Sequence, residues 1–244
     1  DTRVTDANCN DLRGIPGVTV VAGSVFKYTP ASKTLTMKGV TVSVGNGKHA
    51  IWNESIKGLT IVVSGTNSLK ATTWTALLCR ASTAIEGNGS LTTVSESGGG
   101  VFVHKAPLTI SNIMFETTGK WGLAGNKNGK EILILKNATV NAKGTEAAIA
   151  NLKTVTLERC GIIAPEGGKF NEEKQAVVDT KGNRAKEVKI APIEIYELYI
   201  AGTQVTDANC NNLKDITGVT VAPGGEFKYT PASKTLTMKG VTVS

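Results

Sequence analysis

Two kinds of residue in this 244-residue chain could act on a large polar ligand: carboxylates and tryptophans. Breaking a glycosidic bond usually takes two carboxyl groups facing one sugar, one as acid and one as base or nucleophile. All six aspartates (Asp1, Asp6, Asp11, Asp179, Asp207 and Asp215) lie outside residues 35–170. That stretch carries only glutamates: Glu54, Glu86, Glu96, Glu116, Glu131, Glu146, Glu158 and Glu166. Measured from the strand starts of the internal repeat, Glu86, Glu158 and Glu131 fall at +1, +3 and −1, so no adjacent units align two carboxylates. Calcium-assisted elimination needs clustered carboxylate oxygens and a base, and that cluster is missing too. No catalytic residue is assigned. The two histidines, His49 and His104, have no Ser, Cys or Asp partner at a legible spacing.

The four cysteines, Cys9, Cys79, Cys160 and Cys210, form no CxxC pair. With so few histidines, no zinc or other metal site is expected, and no cofactor. A Cys9–Cys79 disulfide and buried free thiols both stay open. Tryptophan is the better lead, because an indole can cover the apolar face of a pyranose while amides and charged groups reach its hydroxyls. Trp74 and Trp121 each stand 11 residues before the next unit's first strand, so they share one face, two units apart. Two inter-strand spacings are about 10 Å, the reach of a disaccharide. The candidate glycan site is Trp74, Trp121 and Trp52 with Lys120, Asn126 and Arg80; Asn53, Glu54 and Glu96 lie near. The competing role for these indoles is to cover turn corners or the edge of the array.

What could hold such residues follows from the repeat. Apolar strand starts recur at Leu35, Leu59, Ile85, Leu108, Ile132 and Val155, spaced by 24, 26, 23, 24 and 23 residues. A second short run follows in each unit (Val40–Val42, Leu69, Leu91–Val94, Met114-Phe115, Val140, Ile162-Ile163). A third closes most of them (Ala50-Ile51, Leu77-Leu78, Val101–Val103, Gly122-Leu123, Ala148-Ile149). Each run is too short for a sheet of its own, but stacking successive units pairs like with like in parallel. Gly39, Gly65, Gly87, Asn112 and Asn137 supply the left-handed corners. A leucine-rich repeat has a similar period, yet it needs a helical segment opposite each strand, and those stretches are rich in Val, Thr and Gly. The expected fold is all-β: a right-handed, single-stranded parallel β-helix of about six coils of roughly 24 residues, capped at both ends.

The expected boundaries are a module over 1–190, comprising a cap (1–34), coils (35–170) and a capping hairpin (175–190) turning at Lys181-Gly182-Asn183. A linker follows over 191–201. Residues 202–244 then repeat 1–43 at a constant offset of 201: 227–244 is identical to 26–43, and 205–211 to 4–10. This partial second module, the opening of a longer tandem array, must cover Phe227, Leu236 and Val241, and self-association through 202–244 is one way to do so.

Several of these phrases carry a family likeness: VTDANCNDL, FKYTPASKTLTMKGVTV, LTIVVSGTNSL, IEGNGSLT, GKWGLAGN, LKNATVNAKG, LERCGIIAPEGG and YELYIAGTQVT. Together the chain resembles the secreted tandem parallel β-helix modules of gut Bacteroidetes, often labelled adhesins or carbohydrate-binding proteins. The resemblance implies export and display at the outer-membrane surface, or secretion, although no signal peptide is legible in this chain; it carries no catalytic residue.

Charge and composition narrow the partners. Lys and Arg number 27 against 20 acids, but these +7 charges are scattered with no run of five. No nucleic-acid motif or stacking platform accompanies them, so nucleic acid is not expected. No apolar run approaches the roughly 20 residues of a membrane helix. The expected role is an exported, surface-associated adhesion or glycan-binding module without enzymatic activity, its partner a glycan or a host or matrix surface. The alternatives are a β-helix polysaccharide lyase or hydrolase, and a structural stalk with no ligand of its own.

Overall fold

Alternation with period two dominates the chain, and the backbone follows it. The structure is a computed structural model describing residues 2–127 and 129–244. It divides into two units, Asp1–Ala191 and Pro192–Ser244.

In the first unit β1 (Val18–Thr29) lies antiparallel on β2 (Thr34–Val44), with Val18 opposite Val42 and Thr29 opposite Thr34. From β2 onward every turn of chain stacks in parallel on the one before. β2 and β3 (Ile51–Asn53) make the first turn. The second is β4 (Leu59–Ser64), β5 (Thr66–Ala71) and β6 (Leu77–Cys79). The third is β7 (Thr83–Gly87), β8 (Ser90–Ser95) and β9 (Gly99–Val103). In the fourth, β10 (Pro107–Ser111) precedes β11 (Met114–Gly125), which serves two faces; β12 (Ile132–Lys136) and β13 (Thr139–Ala150) repeat this in the fifth. β14 (Thr154–Glu158) and β15 (Cys160–Ala164) begin a further turn. The fold is a parallel β-helix of about five turns, one fewer than the repeat suggested, because after β15 the chain leaves the parallel stack.

Three interior rows form the core. Leu35, Ile61, Ile85, Ile110, Leu135 and Leu157 stack on the first face. Val42, Leu69, Thr93, Thr117 and Ala142 stack on the second. Ile51, Leu77, Val101, Leu123 and Ile149 stack on the third, as the spacing of the third runs predicts. The two buried threonines on the second face are satisfied in series: Thr93 donates to Thr117 Oγ1 (2.9 Å) and Thr117 to the Gly122 carbonyl (2.6 Å). The five expected corners all take positive φ, from 45° at Asn137 to 140° at Gly87.

On the first face the expected strand starts need correction. Leu59, Thr83, Leu108, Leu133 and Val155 share a row, while Leu35 and Ile85 belong to the next. A shift of two residues keeps the same side inward, so the apolar pattern cannot reveal it. Ile132 opens an uninterrupted Ile-Leu-Ile-Leu run in which no polar residue marks the outward side. In the true rows Glu86 and Glu158 fall on one line with Val62, Ser111 and Lys136, and Lys136 pairs with Glu158 at 2.9 Å.

The far end is closed by antiparallel strands. β16 (Lys169–Asn171) pairs with β17 (Ala176–Val178), and β17 meets β13 at Ala150 and Ala176. β18 (Glu187–Pro192) covers the second face of β13, Val140 opposite Ile190. The expected 175–190 hairpin is therefore a turn whose arms pair mainly elsewhere. Asp179 holds that turn, its Oδ1 accepting from the Lys181 and Asn183 amides at 2.9 and 2.8 Å.

In the second unit β19 (Ile195–Ile200) and β20 (Thr203–Thr206) form a hairpin, so the expected linker over 191–201 is largely strand. A 3₁₀ turn at Leu213–Asp215 leads to β21 (Val219–Thr230); a second at Pro231–Ser233 leads to β22 (Thr235–Val243). Leu213, Cys210, Val205 and Phe227 make its small core.

Candidate functional site

The leading edge of the third face is where the cap stops. β1 covers the first two faces along β2, whereas among the described residues β3 has a ladder with β6 alone. A cleft of about 980 Å³ lies there, between cap residues such as Leu12, Ile15 and Val18 and the segment Ser43–Ile56. Phe26, Leu35 and Val42 of the core line it. Polar residues line it as well, among them Lys48, His49 and Glu54. This volume falls within the range of small-ligand sites.

Beside the cleft the rungs bring four side chains together. Alternation in β3 buries Asn53 and turns Trp52 outward, 44% exposed. The corner between β5 and β6 leaves Trp74 49% exposed. His49 lies between them, its ring centroid 5.0 Å from that of Trp74 and 5.7 Å from that of Trp52. Arg80, just after β6, places its guanidinium 5.4 Å from the centre of the Trp52 ring and pairs with Glu54 at 3.2 Å. Both members of this ion pair are about half exposed, so its contribution to stability is below about 1 kcal/mol. It does fix a donor and an acceptor beside an aromatic face.

His49 has a defined tautomer. Its Nδ1 is 2.9 Å from the Thr75 carbonyl oxygen, which can only accept, so Nδ1 carries the hydrogen and Nε2 keeps a lone pair. Burial pushes its pKa below the usual value, with the Arg80 charge adding to that, against the bond to Thr75. A neutral imidazole between two indoles is a flat aromatic surface carrying one acceptor nitrogen.

Of the six expected glycan-site residues the structure gathers Trp52, Trp74 and Arg80. Trp121, Lys120 and Asn126 stand apart from that cluster. Trp121 is aligned with Gly99, and the Lys120 amide bonds the Gly98 carbonyl at 2.7 Å. The Ala76 amide bonds the Gly99 carbonyl, which sets Thr75, not Trp74, in the row of Trp121. The expected common register of the two indoles is therefore corrected by one residue, which reverses the facing of a strand position. Trp121 packs on Ala147, Ala150 and Ala176 with Lys120 Nζ 4.9 Å from its ring centre, covering the far end of the array. Asn126 buries its Oδ1 in the corner after β11.

His49 is the member that residue types alone did not bring to this cluster. The third-run spacing from Ile51 to Leu77 does carry the signal, since it sets His49 opposite Thr75. Glu131 is a second residue without a sequence signal. Fully buried, it fills the space that Gly125 leaves empty; its Oε1 accepts from the Lys105 amide at 2.9 Å and its Oε2 from the Lys130 amide at 3.3 Å. It therefore braces a corner.

All four cysteines are buried free thiols, so the Cys9–Cys79 alternative is not formed. Burial raises Cys79 to about 12. Among the described residues no group of three or more His, Cys, Asp or Glu could hold a metal ion, and no helix is long and apolar enough to cross a membrane. No family model, curated protein or solved structure matches this chain.

Proposed function

We propose that this chain is a glycan-recognition module of an exported, surface-associated adhesion protein and acts without catalysis. The observation that carries the reading is the Trp52–His49–Trp74 surface, of which Trp52 and His49 line the 980 Å³ cleft. The two exposed indoles stack on the apolar faces of a sugar. Nearby, Glu54 accepts from hydroxyls, Arg80 donates to them, and His49 Nε2 accepts one more. The resemblance to secreted Bacteroidetes modules supports the same role, with the stacked turns acting as a stiff spacer.

Binding to a glycan array, followed by calorimetry on the best ligand, tests this. W52A and W74A should each weaken binding by about tenfold or more, as loss of a stacked aromatic contact does, with the circular dichroism spectrum unchanged. W121A should bind as the parent does. The reading fails if no glycan binds, or if both substitutions leave affinity intact. Release of reducing ends or unsaturated products from polysaccharide would favour the lyase or hydrolase alternative.

A further inference from the structure

We propose, resting on the glycan reading above, that the ligand is a linear acidic glycan and that the corner leaving the third face is its binding track. Sugars lie along the helix axis there, about one anionic sugar to each turn. The corners that follow β3, β6, β9, β11 and β13 stack on one another. Each carries a cation, in order Lys57, Arg80, Lys105, Lys130 and Lys153, at spacings of 23, 25, 25 and 23 residues. Lys127 adds a second to the corner after β11, and all six side chains are exposed. Charges that are scattered along the chain thus fall on one line.

Backbone bonds between turns hold that line. The Arg80 amide donates to the Asn53 carbonyl and the His104 amide to the Cys79 carbonyl, both at 2.8 Å. Buried Glu131 then ties three successive corners together: its carboxylate accepts from the Lys105 and Lys130 amides, and its carbonyl from the Lys153 amide at 2.8 Å. Neighbouring corners are therefore one inter-strand spacing apart, about 4.8 Å. Among the described residues of these corners the acids are Glu131, whose carboxylate is occupied by amides, and Glu54, paired with Arg80. The other two corners of the helix differ. Between the first and second faces, Gly39, Gly65, Gly89, Asn112 and Asn137 bring no charge. Between the second and third, Lys48 and Lys120 are offset by Glu96 and Glu146. Like charges in register on adjacent rungs repel, and an anionic ligand relieves that repulsion.

Beside the row runs the outer side of the third face, where Trp52, Leu78 and Phe102 stack in register. Trp52 is exposed and Phe102 half-buried. Arg80, 5.4 Å from the centre of the Trp52 ring, joins this apolar strip to the cations. A sugar ring can rest on the strip while its acidic group faces the row. Spacing selects the ligand class. Two turns span about 10 Å, the reach of a disaccharide, so one carboxylate or sulfate per sugar meets one cation per turn. Duplex DNA carries a charge every 1.7 Å or so of axis, about three for each cation here, on strands that wind away from a straight row.

The test follows fluorescence anisotropy as the full chain is titrated into labelled oligomers of about ten sugars: oligogalacturonate for carboxylates, a heparin fragment for sulfates, and a neutral maltodextrin. At least one acidic oligomer should bind about tenfold or more tightly than the neutral one. Its affinity should fall about tenfold or more between about 50 and about 200 mM salt. K105Q/K127Q/K153Q should weaken it by about tenfold or more. K38Q/K70Q/K169Q removes the same charge at exposed positions elsewhere and should leave it within about twofold. Circular dichroism should be unchanged in both variants. Equal losses in the two variants would overturn the proposal, as would equal affinity for neutral and acidic oligomers, or tighter binding of a duplex DNA than of either acidic oligomer. Neutral-oligomer binding that W52A and W74A abolish and K105Q/K127Q/K153Q spares, with no acidic oligomer bound, would overturn it and leave the glycan reading standing.

Discussion

His49 is held by one backbone carbonyl and flanked by two indoles, so its proton balance links the cleft to stability. Its folded pKa is depressed below 6.5, chiefly by burial, so the unfolded chain takes up a proton first as pH falls. Stability from this site is full above about 6.5 and is lost as pH drops through the depressed folded value. The thermal unfolding midpoint should therefore fall as pH is lowered from about 7.5 to about 5.5, and H49Q should flatten that part of the profile. Asp11, held at about 2 by Arg13, titrates below this window and leaves it clear. At this scale the sequence made half of the candidate site legible. Indole and guanidinium chemistry pointed to Trp52, Trp74 and Arg80. The register error came from counting Trp74 and Trp121 back from Ile85 and Ile132, and the structure places those two strand starts in different rows.

Asn67 shows why the coils, once stacked, tolerate little change at their corners. It is 1% exposed, accepts from Val40, and donates to Ser64 and Gly65 within its own corner. Asn67→Leu removes an acceptor from a buried amide and two carbonyls' donor in one step. We expect a loss of about 2 kcal/mol in denaturant unfolding, within the usual range of about 1–3 for a stranded buried group. The element scale was the most legible in sequence. Period-two alternation, glycine and asparagine corners, and the third-run spacing are local properties of the chain. What escaped was parity and phase on the first face, where an uninterrupted Ile132–Leu135 run marks no outward side.

At the scale of the whole molecule, eighteen residues occur twice without a change, and Met37 is buried where Met238 is exposed. M37A should cost about 2–5 kcal/mol, as for a large side chain removed from a packed core. M238A should change stability by less than about 0.5 kcal/mol, as at an exposed position. Equal effects in urea or thermal melts would mean that Met238 is covered in solution. Sequence by itself determined the parallel β-helix and the duplicated start, because each follows from periodicity and local conformational preference. Only the tertiary structure decided that the turns stop near five, that antiparallel strands close the far end, and that His49 joins Trp52 and Trp74. It also decided that Met37 and Val42 are buried while their counterparts Met238 and Val243 are exposed. Burial is a property of neighbours, which a stretch of residues does not by itself determine.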